Sequence, residues 1–557
     1  MSETTPGAVA RSGGRALVDA LRLHGVDRVF CVPGESYLEV LDALHDTPEI
    51  ALVVAKHEGA AANMAEADGK LTGRPGICMV TRGPGATHAS VGVHIAQQDS
   101  TPMILFVGQI ARSHRGREAF QEVDYQALFG SLAKWVVEID DAARVPEIVA
   151  RAFQAACSGR PGPVVVSLPE DMLLEPCTRA DCAAVLPAPM VPAAGLVDGI
   201  VQRLARAQRP LVVVGGPDWD DAGRQALSRF AARWSLPVAC AFRRQDVLDN
   251  LDEHYVGHMS LGMNPKLAQR VRDADLILAI GTRLGDIVTD GYTLIEPPRP
   301  AQPLIHIHAD AGELGRVYQP ELAVVAHAGA AVAALADRPP PGTLPWQDWT
   351  RQARTEHEAF SLPPEPAAGH RGVDLGSVVA HLGRTLPPDS ILTNGAGNYS
   401  VWLHRFYAYR RGRTELAPTC GAMGYGLPAA VAASLRHPGR QVVCMAGDGC
   451  FLMYPQELAT AAEYGARLIV LVANNGMYGT IRMHQERRHP GRVSGTRLQG
   501  PDYVMLARSF GAHAERIEQT EDFAAAFARA QAAQGLALLE LVTDPLQITP
   551  QMRLAEA

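Results

Sequence analysis

Residues 441–479, QVVCMAGDGCFLMYPQELATAAEYGARLIVLVANNGMYG, limit what this chain can fold into more than any other stretch. They read as a buried strand at 442–446, a sharp turn at Gly447-Asp448-Gly449 and an Ala/Glu/Leu-rich helix ending near Gly465. A second buried strand at 468–473 follows and stops at Asn474-Asn475. A strand–helix–strand of this length is a βαβ unit, so its two strands run parallel. Asp448 and Asn475, 27 residues apart, then stand at carboxyl ends of strands, the edge where open α/β sheets bind ligands. One carboxylate and one amide oxygen suit a hard cation whose other ligands are phosphate oxygens. Gly-Asp-Gly alone is a common turn and Asn-Asn a common loop; the information lies in what joins them.

The same βα rhythm runs through the chain. Helices are expected at 14–24 and from Glu35 to about His45, and strands at 28–32, 51–55, 76–81, 103–107 and 164–168. Lys56-His57-Glu58-Gly59 opens an Ala/Met-rich helix to about Leu71, and the turn 82–88, RGPGATH, opens another. LPAPMVPAAG (186–195) reads as a linker, and ADRPPPGTLPW (336–346) as a second Pro-rich boundary. Between them strands at 211–214, 276–280 and 304–308 form a second βα block, and a third runs from near Val373 to a last strand at 536–542. The fold class is therefore α/β, with three doubly wound parallel-sheet domains at 1–185, 196–335 and 365–557. The first and third share size and rhythm.

Composition excludes several roles. A net charge of −8 provides no electrostatic footprint for nucleic acid or an anionic membrane. No apolar run is long enough to span a bilayer, and MSETTPGAVARSGG lacks the apolar core of a signal peptide. Nine cysteines without a C-x-x-C pair read as reduced thiols and a cytoplasmic location. Cys31, Cys78 and Cys444 lie inside apolar runs, where packing explains them.

Gly-Asp-Gly, a helix and Asn-Asn, set in three α/β blocks, resemble the thiamine diphosphate enzymes, and nearly the whole chain is similar to the acetolactate synthase large subunit group. The resemblance implies pyrimidine-binding, central and diphosphate-binding domains. It also implies thiamine diphosphate with Mg²⁺, whose metal is held by Asp448, Asn475 and the Met477 carbonyl. Backbone N–H groups of Gly449 and Cys450 would meet the diphosphate, with further contacts from Gly397, Asn398 and Tyr399. Met423 would wedge beneath the cofactor, and the Gly421 carbonyl would accept from its 4′-amino group. Glu58 matches the activating glutamate that bonds N1′ of the aminopyrimidine. Read alone, Glu58 is a carboxylate favoured in a first helical turn by the macrodipole. Gln121 would bond an acceptor carbonyl or hydroxyl, and Phe120-Gln121-Glu122 matches a synthase motif near the reacting carbon.

The chain departs from its relatives around the substrate. His88 stands where the typical synthase has Asn; it reads either as a proton shuttle or as a locally satisfied helix-start residue. Arg82 replaces a small residue, His484 a Trp, and Glu170 a Lys. The central block has Gly215-Gly216-Pro217 for a three-glycine turn and Ile287 for an Arg, which weighs against the FAD that many relatives bind, although Arg283 remains. The implied activity is decarboxylation of a 2-oxo acid such as pyruvate and transfer of its acyl carbanion to a second carbonyl. The alternatives are a decarboxylase or C–C lyase, a flavin-linked oxidase, and a cofactor-binding regulator without turnover. The resemblance further implies a homodimer or homotetramer with shared sites.

Overall fold

The computed structural model describes residues 10–366, 368–533 and 535–555, so most of the stretch read for a leader, residues 1–9, lies outside it. Three six-stranded parallel sheets carry the fold. The first comprises β1 (Arg28–Cys31), β2 (Ala51–Val54), β3 (Gly76–Val80), β4 (Met103–Gln109), β5 (Trp135–Glu138) and β6 (Pro163–Pro169). The central sheet comprises β7 (Pro210–Val214), β8 (Val238–Ala241), β9 (Tyr255–Met259), β10 (Leu276–Ile280), β11 (Leu304–His308) and β12 (Leu322–Val325). The third comprises β13 (Ile391–Asn394), β14 (Glu415–Leu416), β15 (Val442–Gly447), β16 (Leu468–Asn474), β17 (His513–Ile517) and β18 (Leu536–Val542). Inner strands such as β3, β4, β6 and β15 are buried along their whole length, as helices on both faces of a parallel sheet require.

The first sheet runs β2-β1-β3-β4-β6-β5 and the third β14-β13-β15-β16-β18-β17, which is the same order. The central sheet, β9-β8-β7-β10-β11-β12, has the order of a dinucleotide-binding fold. Six strands, β5, β8, β9, β12, β14 and β17, carry no clear pattern in the sequence, and all but β8 are edge strands. β5, β12 and β17 are partly exposed and β14 is only two residues long, so these lack the apolar run that marks the inner strands.

The helix expected between Gly449 and Gly465 is two helices, Asp448–Phe451 and Glu457–Glu463. Pro455 lies between them, and its missing N–H cannot continue a helix begun at Asp448. The turn expected at Gly447-Asp448-Gly449 is also sharper than a loop: β15 runs through Gly447 and the helix begins at Asp448.

Two compact units result. The first is residues 1–188 joined by 431–436 and 454–464, and the second holds the remainder, with the central and third sheets. In the first unit the helices Glu58–Thr72 and Pro84–Asp99 approach closely, since a Cβ at Gly92 would meet the Ala62 Cβ at 2.4 Å. Arg436 spans Asp27 and Asp68 at 2.7 Å each, the Tyr464 hydroxyl accepts from Val54 N at 2.8 Å, and Glu457 Oε1 accepts from Lys56 N at 3.1 Å. In the second unit the helix Gln347–Ser361 packs back on the central block: Thr350 Oγ1 donates to Ser235 O at 2.7 Å, and Glu356 pairs with Arg270 at 2.7 Å. All nine cysteines are free, with Cys31, Cys78 and Cys444 buried in strands. Among the described residues no helix is long and apolar enough to cross a membrane.

Candidate active site

Register builds the third-sheet site. β15 and β16 pair Gly447 with Ala473, so the loops that follow them emerge side by side. Asp448 is 3% exposed; its Oδ1 accepts from Gly449 N and its Oδ2 from Gly476 N, both at 2.8 Å. Burial pushes this carboxyl up to about 6, opposed by the N–H groups of Gly449, Gly476, Met477 and Asn475. A buried carboxylate met only by backbone donors is the group a divalent cation keeps ionised. Asn475 Oδ1 lies 3.2 Å from Met477 N, and Met477 bridges Arg497, which fixes this loop against 496–498. The two asparagines separate: Asn474 Nδ2 donates to Glu540 Oε1 at 2.7 Å, and only Asn475 faces the cavity.

That cavity, of about 270 Å³, is lined by all ten third-block residues singled out above: Gly397, Asn398, Tyr399, Gly421, Met423, Asp448, Gly449, Cys450, Asn475 and Met477. Its volume and its apolar walls with a few convergent polar groups are those of a small-molecule site. Asn398 Oδ1 is oriented by Thr480 Oγ1 at 2.9 Å. Tyr399 Oη donates to Cys450 Sγ at 3.3 Å, and the same sulfur accepts from Gly424 N at 3.2 Å, so Cys450 ties three loops together through its side chain. The Gly449 N–H is directed onto Asp448 rather than into the cavity. His370 and Asp544, 3.6 Å apart, also line it, with Asp544 pulled below the ordinary carboxylate range by Arg553 and backbone N–H groups despite its burial. No local pattern marks either residue, because 174 positions separate them.

The first unit has its own constellation. Glu58 opens its helix, and His57 caps it by accepting from Gly59 N at 3.0 Å. Glu58 Oε2 lies 2.9 Å from His88 Nδ1, so the two residues read separately from the sequence meet here. The His57 and His88 rings stack at 4.7 Å, and Tyr454 lies 5.2 Å beyond His57.

Nearby, Arg82 joins three strand ends: it bonds Glu170 after β6 at 2.9 Å and Glu35 after β1 at 2.5 Å. Arg82 and Glu170, each singled out separately in the sequence, are therefore partners. Gln121 occupies the left-handed region (φ 65°) and lies against Gly83, where a Cβ would meet Gln121 O at 2.8 Å. Phe120 is 75% exposed. His484, in place of the Trp, is exposed on the helix Gly479–Arg488 of the second unit.

A small-molecule pocket lies at strand ends of the third sheet and a helix-opening glutamate follows a strand of the first, and comparison of the chain with known proteins names the class of enzyme that carries both sheets. Residues 11–128 match the thiamine pyrophosphate enzyme N-terminal TPP binding domain, 197–335 its central domain and 395–541 its C-terminal TPP binding domain. The chain belongs to the thiamine pyrophosphate enzyme family. It is 34% identical to the acetolactate synthase large subunit of Parasynechococcus marenigrum, over 92% of this chain and 84% of that protein. It is 31% identical to the large subunit of acetolactate synthase isozyme 2 of Escherichia coli, over 96% of each. The mitochondrial acetolactate synthase of Schizosaccharomyces pombe is 29% identical over 96% of this chain and 83% of its own length.

Proposed function

We propose that this chain decarboxylates a 2-oxo acid such as pyruvate and joins the remaining acyl unit to a second carbonyl, using thiamine diphosphate and Mg²⁺. The observation that carries the reading is the convergence of Asp448, Asn475, Met477, Gly421 and Met423 on one cavity, in a chain whose length is covered by acetolactate synthases.

When bound, the cofactor supplies a nucleophilic carbon that takes up the donor carbonyl and accepts the electron pair left by CO₂. The chain's residues then have distinct tasks. Asp448, Asn475 and the Met477 carbonyl hold the metal, and the metal neutralises the diphosphate. Met423 supports the folded cofactor from one side, and the Gly421 carbonyl accepts its amino group. Glu58 shares a proton with N1′ of the aminopyrimidine. Gln121, held against Gly83, presents its amide to the acceptor.

Glu58 and Asp448 belong to different compact units, and the proposal includes a homodimer or homotetramer in which a second copy completes each site. Exposed Phe120 and the exposed positions Thr87, His88 and His94 of the Pro84–Asp99 helix are the surface offered for it. A fully active monomer in light scattering would contradict that assembly.

FAD stands outside the proposal. At the carboxyl end of β7, Trp219 Nε1 donates to Gly215 O at 2.8 Å, and a Cβ at Gly216 would lie 2.1 Å from Gly281 O. Gly216 and Gly281 thus pack backbone against backbone at the carboxyl ends of β7 and β10.

A second reading, a decarboxylase or C–C lyase of the same family, is favoured by one observation. The substrate-side cation Arg82 is bound between two carboxylates, leaving it less free to hold an anionic acceptor. Incubating the purified protein with thiamine diphosphate, Mg²⁺ and pyruvate, and reading products by mass spectrometry, separates the two. Acetolactate or acetoin supports the first and acetaldehyde the second; release of no CO₂ from any 2-oxo acid in a panel sinks both.

A further inference from the structure

Glu58 has two carboxylate oxygens, and in this fold one is already engaged. Oε2 lies 2.9 Å from His88 Nδ1. The His88 tautomer that matches an accepting carboxylate oxygen carries its hydrogen on Nδ1. The Glu58 side chain is 14% exposed and that of His88 52% exposed.

The ring is held from behind. His57 stacks on His88 with an interplanar angle of 28° and is itself fixed by Gly59 N on its Nδ1 and by the Tyr454 ring. Burial, and the neighbouring His88, push His57 below the ordinary histidine range. His88 thus meets Glu58 by hydrogen bond and His57 by stacking.

We propose that His88 is a positioning residue for Glu58: it holds Oε2 and leaves Oε1 to meet the aminopyrimidine. This rests on the function proposed above, in which Glu58 shares a proton with N1′. Asparagine at position 88 keeps a donor for Oε2; alanine keeps none.

The test uses the full-length protein in two forms. Without cofactor, protein labelled with ¹⁵N-histidine should show a protected, downfield imidazole N–H resonance that His88→Asn removes and Glu58→Ala weakens. With thiamine diphosphate and Mg²⁺, exchange of the cofactor C2 proton into D₂O is followed by acid quench. His88→Ala should exchange about 10–100-fold more slowly than wild type, the usual loss when an orienting partner is removed, and His88→Asn, which keeps a donor for Oε2, should restore most of that rate. Equal rates for wild type and His88→Ala, no recovery in His88→Asn, or absence of the resonance overturns the proposal. Failure of wild type to accelerate C2 exchange at all overturns the underlying functional reading instead, while the resonance still reports on the contact.

Discussion

The first and third sheets share one strand order and carry different equipment at the same strand ends. After the second strand of each, the first has His57-Glu58 and the third has Cys420-Gly421-Ala422-Met423. After the third strand, one has Arg82-Gly83 and the other Asp448-Gly449; after the fourth, one has Ile110 and the other Asn475-Gly476-Met477. The backbone frame is thus common property, and under the proposed function a few loop residues separate a proton-sharing edge from a metal-holding one. Parallel sheets place all their carboxyl-end loops on one side, so function follows which of those loops hold the carboxylate.

If the two edges divide the work in this way, variants in each should fail differently. Asp448→Ala removes the only carboxylate among the proposed ligands, and metal neutralisation of a diphosphate contributes several kcal/mol. Turnover should vanish and Mg²⁺-thiamine diphosphate affinity fall by about 10³-fold or more in calorimetry. Wild-type affinity in that variant would dissolve the distinction between the edges. Glu58→Gln should do the reverse, leaving affinity nearly unchanged while C2 proton exchange slows by about 10²–10⁴-fold. An unaltered exchange rate would reduce Glu58 to a helix-start carboxylate.

A third variant asks whether the first sheet stands alone. Arg436 comes from the third block yet bonds Asp27 and the 5%-exposed Asp68 in the first unit. Arg436→Ala leaves Asp68 buried without its partner, which typically destabilises by about 3–5 kcal/mol. Urea denaturation should show that loss in the transition reporting the first unit, and an unshifted midpoint would mean the sheet is self-sufficient. The smallest effect is expected for Tyr464→Phe, which deletes the acceptor for Val54 N at the β2 edge. About 1 kcal/mol and faster hydrogen exchange at Val54 are expected; unchanged exchange would leave that bond without consequence.

Where the sequence was readable, the information was local. Asp448 and Asn475 are joined by a single βαβ unit, so periodicity, the Gly-Asp-Gly turn and the Asn-Asn stop all fall in one window of the chain. The break at Pro455 was visible in the same window, but the apolar pattern on either side of it resembled one continuous helix. Arg82 and Glu170 were each conspicuous alone. Their pairing needed the fold, because they follow strands separated by β4 in the sheet. His370 and Asp544 carried no signal, since neither lies in a motif and only the third sheet brings their segments to one cavity. The edge strand β17 is partly exposed and too weakly patterned to read, and β14 is buried but only two residues long, too short to show a period.

The insertion of residues 454–464 into the first unit also has a consequence in time. β2 is an edge strand, and the groups that accept its Val54 and following Lys56 N–H lie 410 and 401 residues further along the chain. A ribosome adding about 5–20 residues per second reaches them roughly 20–80 s after β2 has emerged. Throughout that interval the nascent chain presents an open β edge with unsatisfied donors, the kind of surface that pairs with a neighbouring chain. Pairing of that edge with a neighbouring chain is therefore an expected hazard of synthesis until residues 454–464 arrive to cover it.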